Sequence, residues 1–358
     1  MSDDASGVTT AERGLGSGPA GVASFEDEAP STGRRIQHFF HQNPTAIPAI
    51  ILLVAVVVFG IVTKGRFFNS LNLSLILAQV TLIALLGTAQ TLVIITAGID
   101  LSVGAIMVLS SIIMGKLAVD YQVPVAIAFP AGLLTGLLCG FLNGILVTAL
   151  KLPPFIVTLG TWSIYGALIT LVSNAATIRA QALDQYAPFL RWMGARIPLG
   201  GGAFLMYGSI LMLLVAVVVW YLLSRTAFGR HVYAIGDDAN ASRLAGIQVN
   251  RTLLGVYTLA GLLCGIAGWV LIGRVGAVSP LGNQTANLDA ITAVVIGGTS
   301  LFGGRGSILG TLFGALIVGV FDSGLSLTGV DPLWRQLTVG ALIIIAVAID
   351  QWIRRISA

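Results

Sequence analysis

Four polar side chains, Gln90, Asp100, Asn143 and Asp322, stand inside or at the edge of long apolar stretches. A charge at the centre of a bilayer costs about 3 kcal/mol or more, so an acid there needs a partner or a task. Asp100 lies in GIDLSVG between two apolar runs. Two readings are open for it: an N-cap, with Asp100 or Ser102 accepting free amides of the next helix, or a residue of a hydrated route. Asn143 and Asp322 each fall within an apolar helix, where they either fix helix register by pairing or line such a route. Gln90, followed by Thr91, is polar lining by the same argument. Asp289, two residues after Asn287, reads as a charge complementing a helix dipole.

Catalysis finds little to work with. Paired acids occur only at Asp237–Asp238, and no nucleophile–base set accompanies them. His38, His41 and His231 form no ligand cluster, and Cys139 and Cys264 sit in apolar runs as small hydrophobes. No metal or cofactor is expected. A Walker motif is missing too, because only Lys116 follows a glycine and Leu117 stands where Ser or Thr is required. Any ATP drive must come from another polypeptide.

The elements that position these residues are those of a membrane protein. The 358 residues are 56% hydrophobic and 9% charged, with a mean hydropathy of +0.93; soluble domains carry about 25% charged residues. Apolar runs of spanning length fall near 46–63, 71–96, 101–118, 124–150, 154–173, 203–223, 252–273, 288–302, 307–326 and 333–351. The fold class is therefore an all-α integral membrane protein of about ten transmembrane helices. The 288–302 run is short and ends in Gly303, Gly304 and Gly306, which predicts a helix that breaks or stops inside the protein.

Residues 1–43 read as a disordered polar tail with no apolar h-region, and 44–354 as the transmembrane domain. Arginines at 34, 35, 225, 230, 243, 251, 354 and 355 fall on one side if the span number is even. The positive-inside rule makes that side, with both termini and the loop at about 225–251, cytoplasmic.

Two patterns concern packing. Gly132, Gly136, Gly140 and Gly144 recur every four residues, a smooth strip for close helix contact. Gly140, Asn143 and Pro153 recur at one offset as Gly319, Asp322 and Pro332, in spans of opposite direction, which suggests an inverted repeat. Trp220, Trp269, Trp334 and Trp352 fall near span ends and read as interfacial anchors.

The polar island Ser224–Arg251 interrupts the apolar blocks. From about Asp237 to Gly246 it predicts a short helix, capped by Asp237 or Asp238 and ended by Gly246. A helix this short is marginal alone and becomes plausible when docked against a partner.

Four blocks carry a family likeness: AQTLVIITAGIDLSVGAIMVLSS (89–111), LNGILVTALKLPPFIVTLGT (142–161), GRHVYAIGDDANASRLAGI (229–247) and ITAVVIGGTSLFGGRGSILG (291–310). Together they resemble permease subunits of bacterial ATP-binding-cassette (ABC) importers for monosaccharides of the ribose, xylose and fructose type. The likeness covers 36–356 and is nearest to the fructose permeases of alphaproteobacteria, which share KLPPFIVTLGT, GRHVYA and AVAIDQWIR. It implies a permease dimer, an ATPase subunit met through a cytoplasmic coupling helix, and a periplasmic sugar-binding protein that largely sets selectivity. Carried onto this chain, the coupling residues are Asp237, Asp238, Asn240, Arg243 and Gly246, although the family often has Glu–Ala where this chain has Asn240–Ala241. The alternatives are an ion-coupled transporter using Asp100 or Asp322, and an ABC permease for an amino acid or autoinducer.

Overall fold

The computed structural model describes residues 45–282 and 285–331, with a few positions between 333 and 344. The chain divides into Met1–Gln42 and Asn43–Ala358. The expected tail 1–43 and most of the expected tenth span, 333–351, lie outside the described residues.

Helix α1 spans Ala46–Val62 and α2 spans Ser70–Ile95, the latter opened by the Asn69 side chain, which accepts from Leu71 N at 2.9 Å. Helix α3, Val103–Gly115, runs on through a π-helical turn, Lys116–Asp120, before α4, Val125–Thr148. Helix α5, Pro154–Ser173, starts on a proline whose fixed φ suits the first turn and stops at Asn174 in the left-handed region. Short helices α6, Ala180–Tyr186, and α7, Pro188–Arg191, lead to a two-stranded antiparallel hairpin, β1 (Arg196–Gly200) and β2 (Ala203–Met206). There follow α8 (Tyr207–Arg225), α9 (Ala227–Asp237), α10 (Ala239–Leu244), α11 (Val249–Val275), α12 (Ala286–Ile296) and α13 (Ile308–Leu327).

Among the described residues, seven helices are long and apolar enough to cross a membrane, and α1 and α12 are shorter apolar helices. The expected short span is α12, which stops at Ile296 before a glycine-rich loop. The expected span 203–223 starts later than its hydropathy suggests. Residues 203–206 alternate in burial as a strand does, and the Phe204 amide donates to Ser74 Oγ at 2.9 Å. The hairpin is also a small exception to the all-α expectation.

The core is one cluster of buried apolar side chains, and glycine seams bring its helices close where lipid supplies no apolar drive. Helix α4 packs on α11 along the predicted strip. Cβ atoms on Gly136 or Gly140 would overlap the backbone of Gly261, and Gly261 is equally confined by them. Helix α13 packs on α2 and on α12, and α11 also packs on α2 and α3. Trp269 corrects an expectation. It is 8% exposed, stacked on Phe189 (centroids 5.0 Å) and against Phe129 (4.6 Å), so it is a packing residue and not a belt anchor. Trp220 and Trp334 are exposed. Trp352 lies outside the described residues.

Candidate functional site

Three of the four polar residues singled out in the spans come together. The turn between α2 and α3 holds Asp100, 2% exposed, beside Gln90 and Asn143, both 0% exposed. The Gln90 amide lies 3.1 Å from both Asp100 O and Asp100 N, and assigning its nitrogen to the first and its oxygen to the second satisfies both groups. Tyr165 OH donates to Cys139 O (3.0 Å), with Asn143 Oδ1 as the longer, alternative acceptor (3.4 Å). Asn143 Nδ2 donates to Ser102 Oγ (2.8 Å), and Ser102 donates through both N and Oγ to Asp100 Oδ1 (2.7 and 2.6 Å). The donors thus run in one direction and end on one carboxylate, a charge-assisted arrangement. Asp100 accepts from the amide of Ser102, one residue ahead of α3, and neither it nor Ser102 caps a free amide of the helix, so the cap reading is not met.

This turn is clamped from every side. Thr158 Oγ1 donates to Ile99 O (3.0 Å), Asn287 Nδ2 to Leu101 O (3.0 Å), and Gly304 N to Ile95 O (2.9 Å). Side chains of α2, α4, α5 and α12 therefore all bond to residues 99–102. Thr91, named with Gln90, bonds instead to Thr311 Oγ1 (2.6 Å).

Asp322 lies elsewhere. Gln79 Nε2 donates to Asp322 Oδ2 at 2.6 Å, joining α2 to α13, and one position on, Ser323 Oγ donates to Asn72 Oδ1 at 2.9 Å. Asp289 accepts from Thr285 Oγ1 at 3.1 Å in the first turn of α12.

The island is two helices. Asp238 is the cap of α10, its Oδ1 accepting from Asn240 N (2.7 Å) and Ala241 N (3.0 Å). Gly246, at φ +85°, closes the helix as its amide donates to Arg243 O and Ile247 N donates to Ser242 O, both 3.0 Å. Asp237, Asp238, Asn240, Arg243 and Gly246 are all exposed. A cavity of about 320 Å³ beside them is lined by Arg243, Ile247, Gln248, Val249, Asn250 and Arg251.

Sequence reasoning missed α9, Leu244 and Tyr165. Helix α9 buries Gly229, Val232, Ile235 and Gly236, a helical spacing hidden by the polar residues between them. A Cβ on Gly236 would overlap the Ile95 carbonyl and the Gly304 amide, and Tyr233 OH donates to Gly306 O at 2.8 Å. The island is therefore bolted to the same backbone that carries Asp100. Leu244, 91% exposed, is an apolar side chain held clear of the bundle by a capped helix.

Helices of spanning length around a sealed polar turn, with an exposed short helix bolted to it, define a multi-pass membrane protein. The model of the family described as branched-chain amino acid transport system, permease component, matches residues 72–347, and the chain belongs to that family. It is 53% identical over 347 residues to the fructose import permease protein FrcC of Rhizobium meliloti, covering 97% of this chain and 96% of that one. It is 38% identical to the ribose import permease protein RbsC of Bacillus subtilis (91% and 99% covered), and 35% identical to the D-allose transport system permease protein AlsC of Escherichia coli (85% and 91%). No solved structure matches the chain.

Proposed function

We infer that this chain is the permease subunit of an ABC importer for a monosaccharide, fructose being the best match. The carrying observation is α10: an exposed, capped helix presenting Leu244 and Arg243, bolted through Gly236 to the turn that holds Asp100. ATP hydrolysis belongs to a separate subunit, whose groove receives α10. Asp237, Asp238, Asn240, Arg243 and Gly246 form or support that contact. Movement of α10 is passed through α9 to residues 96–102, where Gln90, Asp100 and Asn143 hold the pathway's cytoplasmic end.

The same reading takes two permease copies around one route, a periplasmic sugar-binding protein on the opposite face, both termini in the cytoplasm, and the inner membrane of a bacterium as the location. Residues 1–43 are a polar cytoplasmic tail. The permease domain, 44–354, has about ten spans in an inverted repeat. Support for the repeat comes from element boundaries: α2 and α11 begin 179 residues apart, at Ser70 and Val249, and α4 and α13 end the same distance apart, at Thr148 and Leu327. Packing follows suit, with α4 on α11 and α13 on α2.

A gentle-detergent pulldown from the native membrane, with mass identification, tests the reading. A P-loop ATPase in about equal copy number is expected. Recovery of this chain alone, in a form whose uptake collapses with a protonophore while ATP stays high, would replace it with an ion-coupled transporter.

A further inference from the structure

The segment between α5 and α8 encloses a cavity that neither the Asp100 turn nor the island touches. It measures about 530 Å³, and its walls include Asp184, Phe189, Arg191, Trp192, Gly194 and Gly273. Small-ligand sites occupy about 300–1,000 Å³ and combine aromatic walls with a few polar groups. Backbone fixes its position on α11: a Cβ on Gly194 would overlap the Gly273 carbonyl, and one on Gly273 would overlap the Gly194 amide. Buried Leu183, Leu190 and Met193 anchor the segment, and Trp269 Nε1 donates to Phe189 O at 3.3 Å.

Two kinds of wall meet there. Exposed Trp192 and Phe189 have ring centroids 5.9 Å apart. They belong to a run of rings, with Tyr207 5.5 Å from Trp192 and Trp269 5.0 Å from Phe189. Arg191 Nη1 is ion-paired with Asp184 Oδ2. Its Nε is buried without a hydrogen-bond partner among the described residues, a deficit that costs about 1–3 kcal/mol until an acceptor arrives. Helix α8 runs from Tyr207 beside the hairpin to Arg225 beside the island, and α11 from Val249 beside the island to Val275 beside the cavity. Both are of spanning length, so the cavity and α10 lie at opposite ends of the same two helices.

We propose that this cavity is a binding site for a neutral monosaccharide on the membrane face opposite α10. A sugar ring carries a face of C–H groups and a rim of hydroxyls. The C–H face is attracted to the negative faces of aromatic rings, which Trp192 and Phe189 supply. Hydroxyls donate and accept at once, so two neighbours on the sugar suit a carboxylate that only accepts beside a guanidinium that only donates. The Arg191–Asp184 pair carries no net charge and asks for none in its ligand. A sugar oxygen gives Arg191 Nε the acceptor it lacks. The proposal rests on the importer reading above, which puts α10 in the cytoplasm and the cavity outside.

The test uses the permease–ATPase complex in lipid nanodiscs, without a binding protein. Cys139 and Cys264 are free and buried, so they stay silent to a charged thiosulfonate. Ala195→Cys and, separately, Pro188→Cys put a thiol in the cavity wall and leave Asp184, Phe189, Arg191 and Trp192 in place. Both thiols are expected to label, and D-fructose is expected to slow labelling saturably, about threefold at twice its Kd, as 1 + [L]/Kd predicts. Asp184→Ala or Trp192→Leu, at exposed positions, is expected to raise that Kd about fivefold or more. Thiols that do not label, or labelling that D-fructose, D-ribose and D-xylose all leave unchanged, overturn the site. So does protection that survives both substitutions. Labelling slowed by phosphatidylethanolamine in place of phosphatidylcholine, and not by sugar, overturns it in favour of a lipid headgroup. ATP-driven sugar uptake by the unmodified complex in cells separates the two readings. Uptake without protection removes only the site, whereas absence of uptake removes the importer reading itself.

Discussion

The two polar groups of this bundle have similar inventories and opposite burial. Around Asp100 every polar atom of the chain Tyr165–Asn143–Ser102–Asp100 is enclosed, and the donors are aligned toward one acceptor. Around Asp322 the hydrogen-bonded side chains come from α2 and α13 and remain partly exposed. In the repeat proposed above, Asn143 and Asp322 hold equivalent positions, one sealed and one partly exposed. The sealed end is the one bolted to α9 and α10. The open end has no such attachment among the described residues. A gate that a motor must work is the one that should be locked at rest.

The largest expected effect comes from cutting the bolt. Gly236→Leu cannot be seated without moving the Ile95 carbonyl or the Gly304 amide. Uptake should fall about 100-fold or more, since a steric core change of this kind costs several kcal/mol. ATP hydrolysis by the assembled complex, measured alongside uptake, should persist; equal loss of both would place Gly236 in assembly and not in transmission.

Next comes the lock itself. Asp100→Leu strands the amide and hydroxyl of Ser102, and each buried orphan costs about 1–3 kcal/mol. Asp100→Asn keeps an accepting oxygen and should retain most of the thermal stability in detergent. Asp322→Leu, at the open end where water replaces a lost partner, should lower the melting temperature by clearly less than Asp100→Leu. Equal losses would erase the distinction between the two ends.

Leu244→Asp then asks whether the sealed end is driven from α10. Burying a leucine is worth about 1.5–3 kcal/mol, so the ATPase should bind about 10- to 100-fold more weakly, while the isolated permease keeps its melting temperature. Unchanged association in a quantitative pulldown would move the contact elsewhere on the island.

Much of this was readable in the residues. Hydropathy found the helices, because spans must satisfy their backbone internally and so run long and apolar. The glycine strip foretold the α4–α11 seam, and Asp238 and Gly246 foretold both ends of α10. The pairing of Gln90 with the Asp100 backbone was not readable, since a turn of left-handed geometry at Ala97 and a neighbouring loop at Gly303 and Gly304 decide it in three dimensions. Helix α9 was hidden because its buried face is half glycine, which carries no hydropathy. Leu244 looked like an ordinary helix former until its exposure was seen. The strand at 203–206 was lost inside an apolar run that hydropathy cannot divide.

Tyr257 provides the smallest and sharpest test of the comparison. It is 1% exposed on α11, its hydroxyl has no hydrogen-bond partner among the described residues, and a Cβ on Gly98 would lie 2.7 Å from that oxygen. The sealed end therefore contains one donor that its network does not use. If the network is the lock in every state, Tyr257→Phe removes only an unsatisfied hydroxyl, which costs about 1–3 kcal/mol where it stands. The variant should melt slightly higher and transport within about twofold of the parent. The opposite result, unchanged melting with transport lost, would mean that the hydroxyl finds its acceptor only when residues 96–102 move. The buried Asp100 carboxyl group is an acceptor that such a movement could offer it. The lock would then be a switch with two sets of donors, and the asymmetry between the two ends a property of one state rather than of the fold.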